Sequence, residues 1–251
     1  MTEQRRNHSY SKSEALLQRA KNVIPNGIPG HFNPMAQVPA GTYPHYVDRA
    51  KGSRFWDVDG NEYVDLTMGF GIDLLGHSPS FITEAVEKQL KKGIELSALS
   101  PLASDVAKMI CEFTGFDRVT FSTTGSEANL AAIRAARTVT GRERIAVFNG
   151  DYHGIFDEVL VQSVKANGQS TSAPVAPGIP THVVEKVLVL DYNDPQCLDI
   201  LRENAAELAA VVVEPVQSRN PGFQPRDMLS KVRQITSETG VTLIFDEVIT
   251  G

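Results

Sequence analysis

Cysteine is almost missing from this chain. Its 251 residues carry two, Cys111 and Cys197, each inside a helical pattern. Two such thiols exclude a disulfide framework and a cysteine-rich zinc site. They read as buried thiols of a reducing compartment, which places the protein in the cytoplasm. Basic charge is also in deficit: 24 Lys and Arg stand against 30 Asp and Glu, a net charge of −6. That balance is a poor basis for gripping a phosphate backbone, so nucleic acid is not an expected partner. No uninterrupted apolar run is long enough to span a bilayer, and the basic residues Arg5 and Arg6 have no apolar segment behind them. Neither a membrane partner nor a secretory signal is expected. Gly-x-Gly-x-x-Gly is absent, as is a phosphate loop ending in Gly-Lys-Ser/Thr. His153 has no second histidine or cysteine at ligand spacing, so no metal site is read. No internal repeat occurs.

What remains is ordinary globular composition, 41% hydrophobic and 22% charged, long enough for one large core or for a large and a small lobe. The stretch up to Pro44 is rich in Pro, Gly and Asn around one helical segment near 13–23. Two short alternating runs then flank Asp59-Gly60-Asn61, a hairpin signal. Residues 1–73 are read as an N-terminal segment of helix and hairpin, and 74–251 as the first part of a larger domain. Within the latter, helices and strands alternate. Ser80 opens a helix that Gly93 stops. Ser100-Pro101 opens another, with Leu102, Val106, Ile110 and Phe113 on one face and Gly115 as its stop. Val119-Thr120-Phe121 reads as a short strand, 126–140 as an alanine-rich helix, and 145–148 as a strand. The stretch 164–183, rich in Ser, Pro and Gly, reads as a surface loop. Strands follow at 186–190, 210–213 and 241–245, with helices after Asp194-Pro195 and over 226–239. Strands that are apolar throughout, alternating with helices, predict an α/β fold with a mostly parallel sheet covered on both faces.

Four stretches at strand ends could carry chemistry. Thr124-Gly125-Ser126 opens a helix. Glycine admits a close ligand, and free amides with a serine hydroxyl suit a phosphate, though the same residues serve a helix cap with no ligand. Tyr152-His153 offers an aromatic plate for a flat ring, or a packed tyrosine beside a surface histidine. Glu214 and Asp246 each end an apolar run. They are either paired acids at one mouth of the sheet or separate caps and ion-pair partners.

Taken in order, Trp56-Asp57-Val58-Asp59-Gly60-Asn61-Glu62-Tyr63-Val64-Asp65, Gly76-His77, Gly125-Ser126-Glu127-Ala128, Tyr152-His153-Gly154, Glu214-Pro215-Val216 and Phe245-Asp246-Glu247-Val248-Ile249-Thr250-Gly251 resemble the class III aminotransferases of pyridoxal-phosphate fold type I, close to glutamate-1-semialdehyde aminomutase. The likeness runs through almost the whole chain after the first dozen residues. It implies pyridoxal 5'-phosphate as cofactor and the large domain of that fold, incomplete at the C-terminus, with 1–73 forming part of a small domain. It implies that Gly125 and Ser126 hold the cofactor phosphate. Tyr152 stacks on one face of the ring and Val248 presses on the other, while Asp246 pairs with the ring nitrogen. Glu214 helps orient ring or substrate, and His153 is a neighbour of the cofactor. The expected activity is transfer of an amino group from a small-molecule donor to a keto acceptor, in a homodimer. An amino shift within one molecule is the alternative, and a non-catalytic binding or assembly fragment is a third reading.

Two departures qualify the likeness. The Schiff-base lysine of the family lies downstream of the Asp246 motif, so the chain is expected to be an N-terminal fragment lacking it. Gln217-Ser218-Arg219-Asn220 replaces the residues that follow Glu-Pro-Val in the aminomutase. With Thr67-Met68-Gly69-Phe70-Gly71 and Val175-Ala176-Pro177-Gly178-Ile179-Pro180, this stretch resembles aminotransferase units of hybrid polyketide/peptide synthetases. There the acceptor is a ketoacyl chain on a carrier protein. Arg219 then faces a carboxylate or a pantetheine phosphate, or is a solvated surface arginine.

Overall fold

The computed structural model describes residues 8–30, 41–93, 98–166 and 169–251. The chain divides into two units, Met1–Ser100 and Pro101–Gly251.

In the first unit, α1 (Ser11–Lys21) precedes a three-stranded antiparallel sheet in the order β1 (Val47–Lys51), β2 (Arg54–Asp57), β3 (Glu62–Val64), followed by α2 (Ser80–Leu90). The hairpin expected around Asp59-Gly60-Asn61 joins β2 to β3, with Gly60 at φ 92°. Its acids do local work. Asp59 accepts the amides of Lys12 and Ser13 at 3.0 Å each, satisfying donors that the first turn of α1 leaves free. Asp57 is buried and takes N–H and O–H donors from Asp59, Asn61 and Tyr63. The Phe55 and Tyr63 rings stack across the pair at 4.9 Å. β1 has no counterpart in the sequence pattern: Val47-Asp48-Arg49-Ala50-Lys51 has little apolar alternation, and its burial is correspondingly slight.

The second unit holds α3 (Pro101–Thr114), α4 (Gly125–Thr140), β4 (Arg144–Phe148), β5 (Val161–Ala166), β6 (Gln169–Pro174), α5 (Thr181–Val184), β7 (Val187–Leu190), α6 (Cys197–Asn204), β8 (Leu208–Val213), α7 (Arg226–Thr239) and β9 (Thr242–Phe245). β7, β4, β8 and β9 form a four-stranded sheet in that order, every pair parallel. The fold class is as expected. Side chains alternate across the sheet because successive residues of a strand point to opposite faces. Ala146, Phe148, Val211 and Val213 face α6 and α7, where Cys197, Leu201, Leu229, Val232 and Ile235 complete one core. Ile145, Val147, Ala210 and Val212 face α4, where Ile133 and Ala136 complete the other. All six residues of β8 are buried, and each such valine contributes about 1.5–3 kcal/mol. Gly141 and Gly240, at φ 69° and 70°, end α4 and α7 in the left-handed conformation that glycine adopts at least cost.

Three expectations are corrected. Val119-Thr120-Phe121 is irregular backbone, not a strand. No strand among the described residues pairs with it, and Phe121 is exposed. The stretch 164–183 is not one loop. Most of its first half is the antiparallel pair β5–β6, registered from Val161↔Pro174 to Ala166↔Gln169, and α5 follows. Of the two thiols, Cys197 is buried but Cys111 is only half-buried.

Candidate active site

The C-terminal ends of the parallel strands deliver three segments to one place, the edge where open α/β sheets put their ligands. After β4 come Asp151, Tyr152 and His153; after β8 comes Glu214; after β9 comes Asp246. The ladder extends into this edge, since the Asp246 amide donates to the Val213 carbonyl at 2.9 Å and the Asn149 amide to that of Leu190 at 2.7 Å.

Asp246 is the centre. Its Oδ2 accepts from the Asn129 side-chain amide at 2.7 Å and lies 2.9 Å from His153 Nδ1. Its Oδ1 accepts the Val248 amide at 3.2 Å. Burial alone would raise this carboxyl. The bonds from His153, Asn129 and the Val248 amide outweigh burial and hold it below its ordinary 3.8. An ionised carboxylate only accepts, so His153 Nδ1 carries a proton. Asn129 also donates to the His153 carbonyl at 3.1 Å, which fixes the direction of its amide. His153 Nε2 is buried and has no hydrogen-bond partner among the described residues.

A second acidic knot lies beside the first. Asp151 accepts the Glu214 amide at 3.0 Å and the Gln217 side-chain amide at 2.7 Å. Burial pushes its carboxyl up to about 6, against the pull of those donors and of His153. Glu214 accepts the amides of Tyr152 at 3.0 Å and Ser218 at 3.2 Å. Glu214 therefore fixes the Tyr152 loop, and among the described residues no hydrogen bond joins it to Asp246.

The amino end of α4 closes the group. Thr124 and Glu127 form a reciprocal cap: Thr124 Oγ1 accepts the Glu127 amide, and the Glu127 carboxylate accepts the amides of Thr123 and Thr124. The cap reading of this stretch is realised, yet among the described residues it leaves the Gly125 and Ser126 amides, which have no acceptor one turn back, open to an anion. The loop after β4 docks on this turn through the Ile155 amide, 3.3 Å from Ser126 Oγ. Gly125 runs so close to Val248 that an added Cβ would lie 2.8 Å from Val248 Cγ2. Gly154, at φ 117°, passes against Ser126 with no room for a side chain. Tyr152 is partly exposed, with the Arg219 guanidinium 5.3 Å from its ring centroid.

The structure thus gathers Gly125, Ser126, His153, Asp246 and Val248 by direct contact, with Tyr152 and Glu214 tied in through Asp151 and the β4 loop. Sequence reasoning missed Asn129, Asp151 and Gln217. Asn129 had a signal: a polar residue on the buried face of an alanine-rich helix, three positions after Ser126.

A family model described as Aminotransferase class-III matches residues 35–251. The chain belongs to the class III aminotransferases. It is 37% identical over 245 residues to the glutamate-1-semialdehyde 2,1-aminomutase of Aquifex aeolicus, covering 96% of this chain and 57% of that one. Among solved structures it is similar to an omega-transaminase from Sphaerobacter thermophilus at 34% identity and a TM-score of 0.85, covering 94% of this chain and 55% of that one. It is also similar to a transaminase with pyridoxal phosphate bound, at 33% identity and a TM-score of 0.84, covering 96% and 56%. The chain spans just over half the length of the relatives it matches. Class III enzymes work with pyridoxal phosphate. No helix among the described residues is long and apolar enough to cross a membrane.

Proposed function

We propose that this chain is the cofactor-holding part of a pyridoxal-phosphate enzyme that transfers an amino group to a keto carbon. The observation that carries this reading is Asp246, a buried carboxylate kept ionised by three donors at the end of β9, with a lone pair on Oδ1 left over. The donor set fits the group. Gly125 and Ser126 offer amides and a hydroxyl at the positive end of the 16-residue α4, suited to a phosphate. Tyr152 offers a ring face, and Val248 an apolar wall beside Gly125. When bound, pyridoxal phosphate supplies an electron sink for charge developing at the carbon next to the amino nitrogen. Asp246 would hold the proton on the ring nitrogen, which that sink needs. His153 and Asn129 orient Asp246, and Glu214 anchors the loop that carries Tyr152.

The donor is a small-molecule amine and the acceptor a keto compound, in a homodimer. A ketoacyl chain on a carrier protein is the finer assignment. Arg219 is exposed, with its guanidinium 5.3 Å from the Tyr152 ring centroid, and would meet a carboxylate or a pantetheine phosphate there. An amino shift within one molecule is the second reading, favoured by the 37% identity to an aminomutase.

Equilibrium dialysis with pyridoxal phosphate, with inorganic phosphate as control, tests the cofactor half. Retention that is lost in Asp246→Ala is expected. Retention no better than that of phosphate overturns the reading. For the full-length gene product, formation of the pyridoxamine form with an amino donor supports transamination. Production of 5-aminolevulinate from the semialdehyde without an external donor supports the amino shift.

A further inference from the structure

Asp151 lies outside the contacts that would hold a cofactor, yet its side chain is fully buried against the one buried histidine of the site. Its Oδ2 is 3.7 Å from His153 Nε2, while His153 Nδ1 is 2.9 Å from Asp246 Oδ2. One imidazole therefore stands between two acids. The outer gap is too long for a direct hydrogen bond. Nε2 has no other partner among the described residues. The remaining groups around Asp151 are the Glu214 carboxylate after β8, the Tyr192 hydroxyl after β7 and the neutral amide of Gln217. From α4 the neutral Asn129 side chain bonds the His153 carbonyl and Asp246. Among the described residues, the side chain facing Asp151 that can take up positive charge is His153.

The geometry points to Asp151 as a positioning residue that acts through His153. Its charge decides whether His153 is imidazolium or neutral imidazole, and so how much negative charge Asp246 presents to the group it faces. The link to the ring nitrogen rests on the cofactor reading above, whereas the coupling of Asp151 to His153 does not. Ionised Asp151 beside imidazolium, and protonated Asp151 beside neutral imidazole, carry the same number of protons. The difference is where the charge sits. With Asp151 ionised, the imidazolium offsets part of the Asp246 charge. Without that acid, His153 is neutral and Asp246 holds a ring proton more firmly. Both groups titrate as a pair, so a change at one must appear at the other. The side chain that donates a hydrogen bond to Asp151 is Gln217, within the stretch where the chain departs from the aminomutase pattern.

Histidine-selective ¹⁵N labelling reads this directly in the cofactor-free protein. The chain has six histidines, and the His153 signal is identified by its loss in His153→Gln. In Asp151→Asn the midpoint for protonating Nε2 is expected to fall by about one to two pH units, the usual effect of removing an adjacent opposite charge. Asp151→Glu restores it. An unchanged midpoint in Asp151→Asn overturns the proposal. Should that variant not fold, Gln217→Met removes a donor that steadies ionised Asp151. A smaller fall is expected there, and no fall overturns the proposal. In the loaded protein, ring-¹⁵N pyridoxal phosphate should shift toward its protonated form in Asp151→Asn. A ring signal that stays put while His153 responds overturns the link to Asp246. Failure of wild type to bind pyridoxal phosphate overturns the cofactor reading, and the histidine signal then judges Asp151 alone.

Discussion

Asp57 and Asp246 are both buried aspartates at strand ends, 2% and 7% exposed, and both carboxyls are held below their ordinary value against the upward push of burial. They differ in who holds them. Asp57 accepts from Asp59, Asn61 and Tyr63, all within six residues, and both of its oxygens are committed. Asp246 is held by Asn129 and His153, 117 and 93 positions away, and among the described residues its Oδ1 accepts only the Val248 amide. A carboxylate closed by its own hairpin stabilises that hairpin and has nothing left to offer. One assembled from three distant elements, and left with an open lone pair, is poised for a further partner. Burial and a depressed pKa are common to both, so neither distinguishes a site from a structural knot; the sequence distance and the unused valence do.

The largest effect that would sharpen this contrast is expected at Asp246. Asp246→Ala removes a charge-assisted bond worth about 3 kcal/mol, so pyridoxal phosphate affinity should fall by roughly 150-fold in dialysis. Asp57→Ala strands four donors and should cost about 2–4 kcal/mol in denaturant unfolding of the first unit. It should leave cofactor affinity unchanged. Equal loss of affinity in both variants would break the comparison.

pH sets the two kinds of acid against each other. Asp57 and Asp246 have lowered folded values, so their contribution is present above 3.8 and is lost as pH falls through those values. Asp151 has the opposite sign. Its folded value is raised from 3.8 to about 6, so its contribution is complete below 3.8 and is lost as pH rises through about 6. That swing is about 3 kcal/mol at most. The stability of wild type relative to Asp151→Asn, from denaturant midpoints, should therefore decline across this window. A constant difference would show that Asp151 titrates as an ordinary exposed acid.

The core was legible because its strands are apolar on both faces. Leu208–Val213 has no polar residue and can only be buried. The hairpin β5–β6 was not legible by the same test: Gln169-Ser170-Thr171-Ser172 has no apolar alternation, although the intervening Asn167-Gly168 is a hairpin dipeptide. Helices α3 and α7 mark another limit. Both run 14 residues with an apolar stripe, yet α7 buries Leu229, Val232 and Ile235 while α3 buries none of its residues, and Phe113 is 85% exposed. A stripe declares that a face wants cover, not what covers it. At the site, Glu214 and Asp246 follow strands as the pattern had them, whereas the turn at Gly125 follows irregular backbone, and the strand-end pattern gave no hint that Glu214 would tie to Tyr152 and Ser218 instead of Asp246. The bonds of Asn129 and Asp151 span 117 and 63 positions, and no local pattern encodes such pairs.

Two smaller changes probe the edges of the site. Gly154→Ala forces a residue with a side chain to φ 117° against Ser126, a strain of about 1–3 kcal/mol. It should lower the unfolding midpoint and weaken phosphate-dependent retention together, because the Ile155–Ser126 contact moves with it. Arg219→Ala is the mildest. The guanidinium stands 5.3 Å from the Tyr152 ring and is solvated, so its loss should cost stability less than about 1 kcal/mol. Cofactor affinity should hold, since Asp246, Gly125 and Ser126 are untouched. Any effect should appear only with the acceptor: the full-length variant should raise KM for an anionic keto acceptor and spare a neutral one. Equal KM changes for both acceptors would assign Arg219 to packing on Tyr152, and selection of an anionic acceptor would then have to come from a cation outside the stretch that follows Glu214.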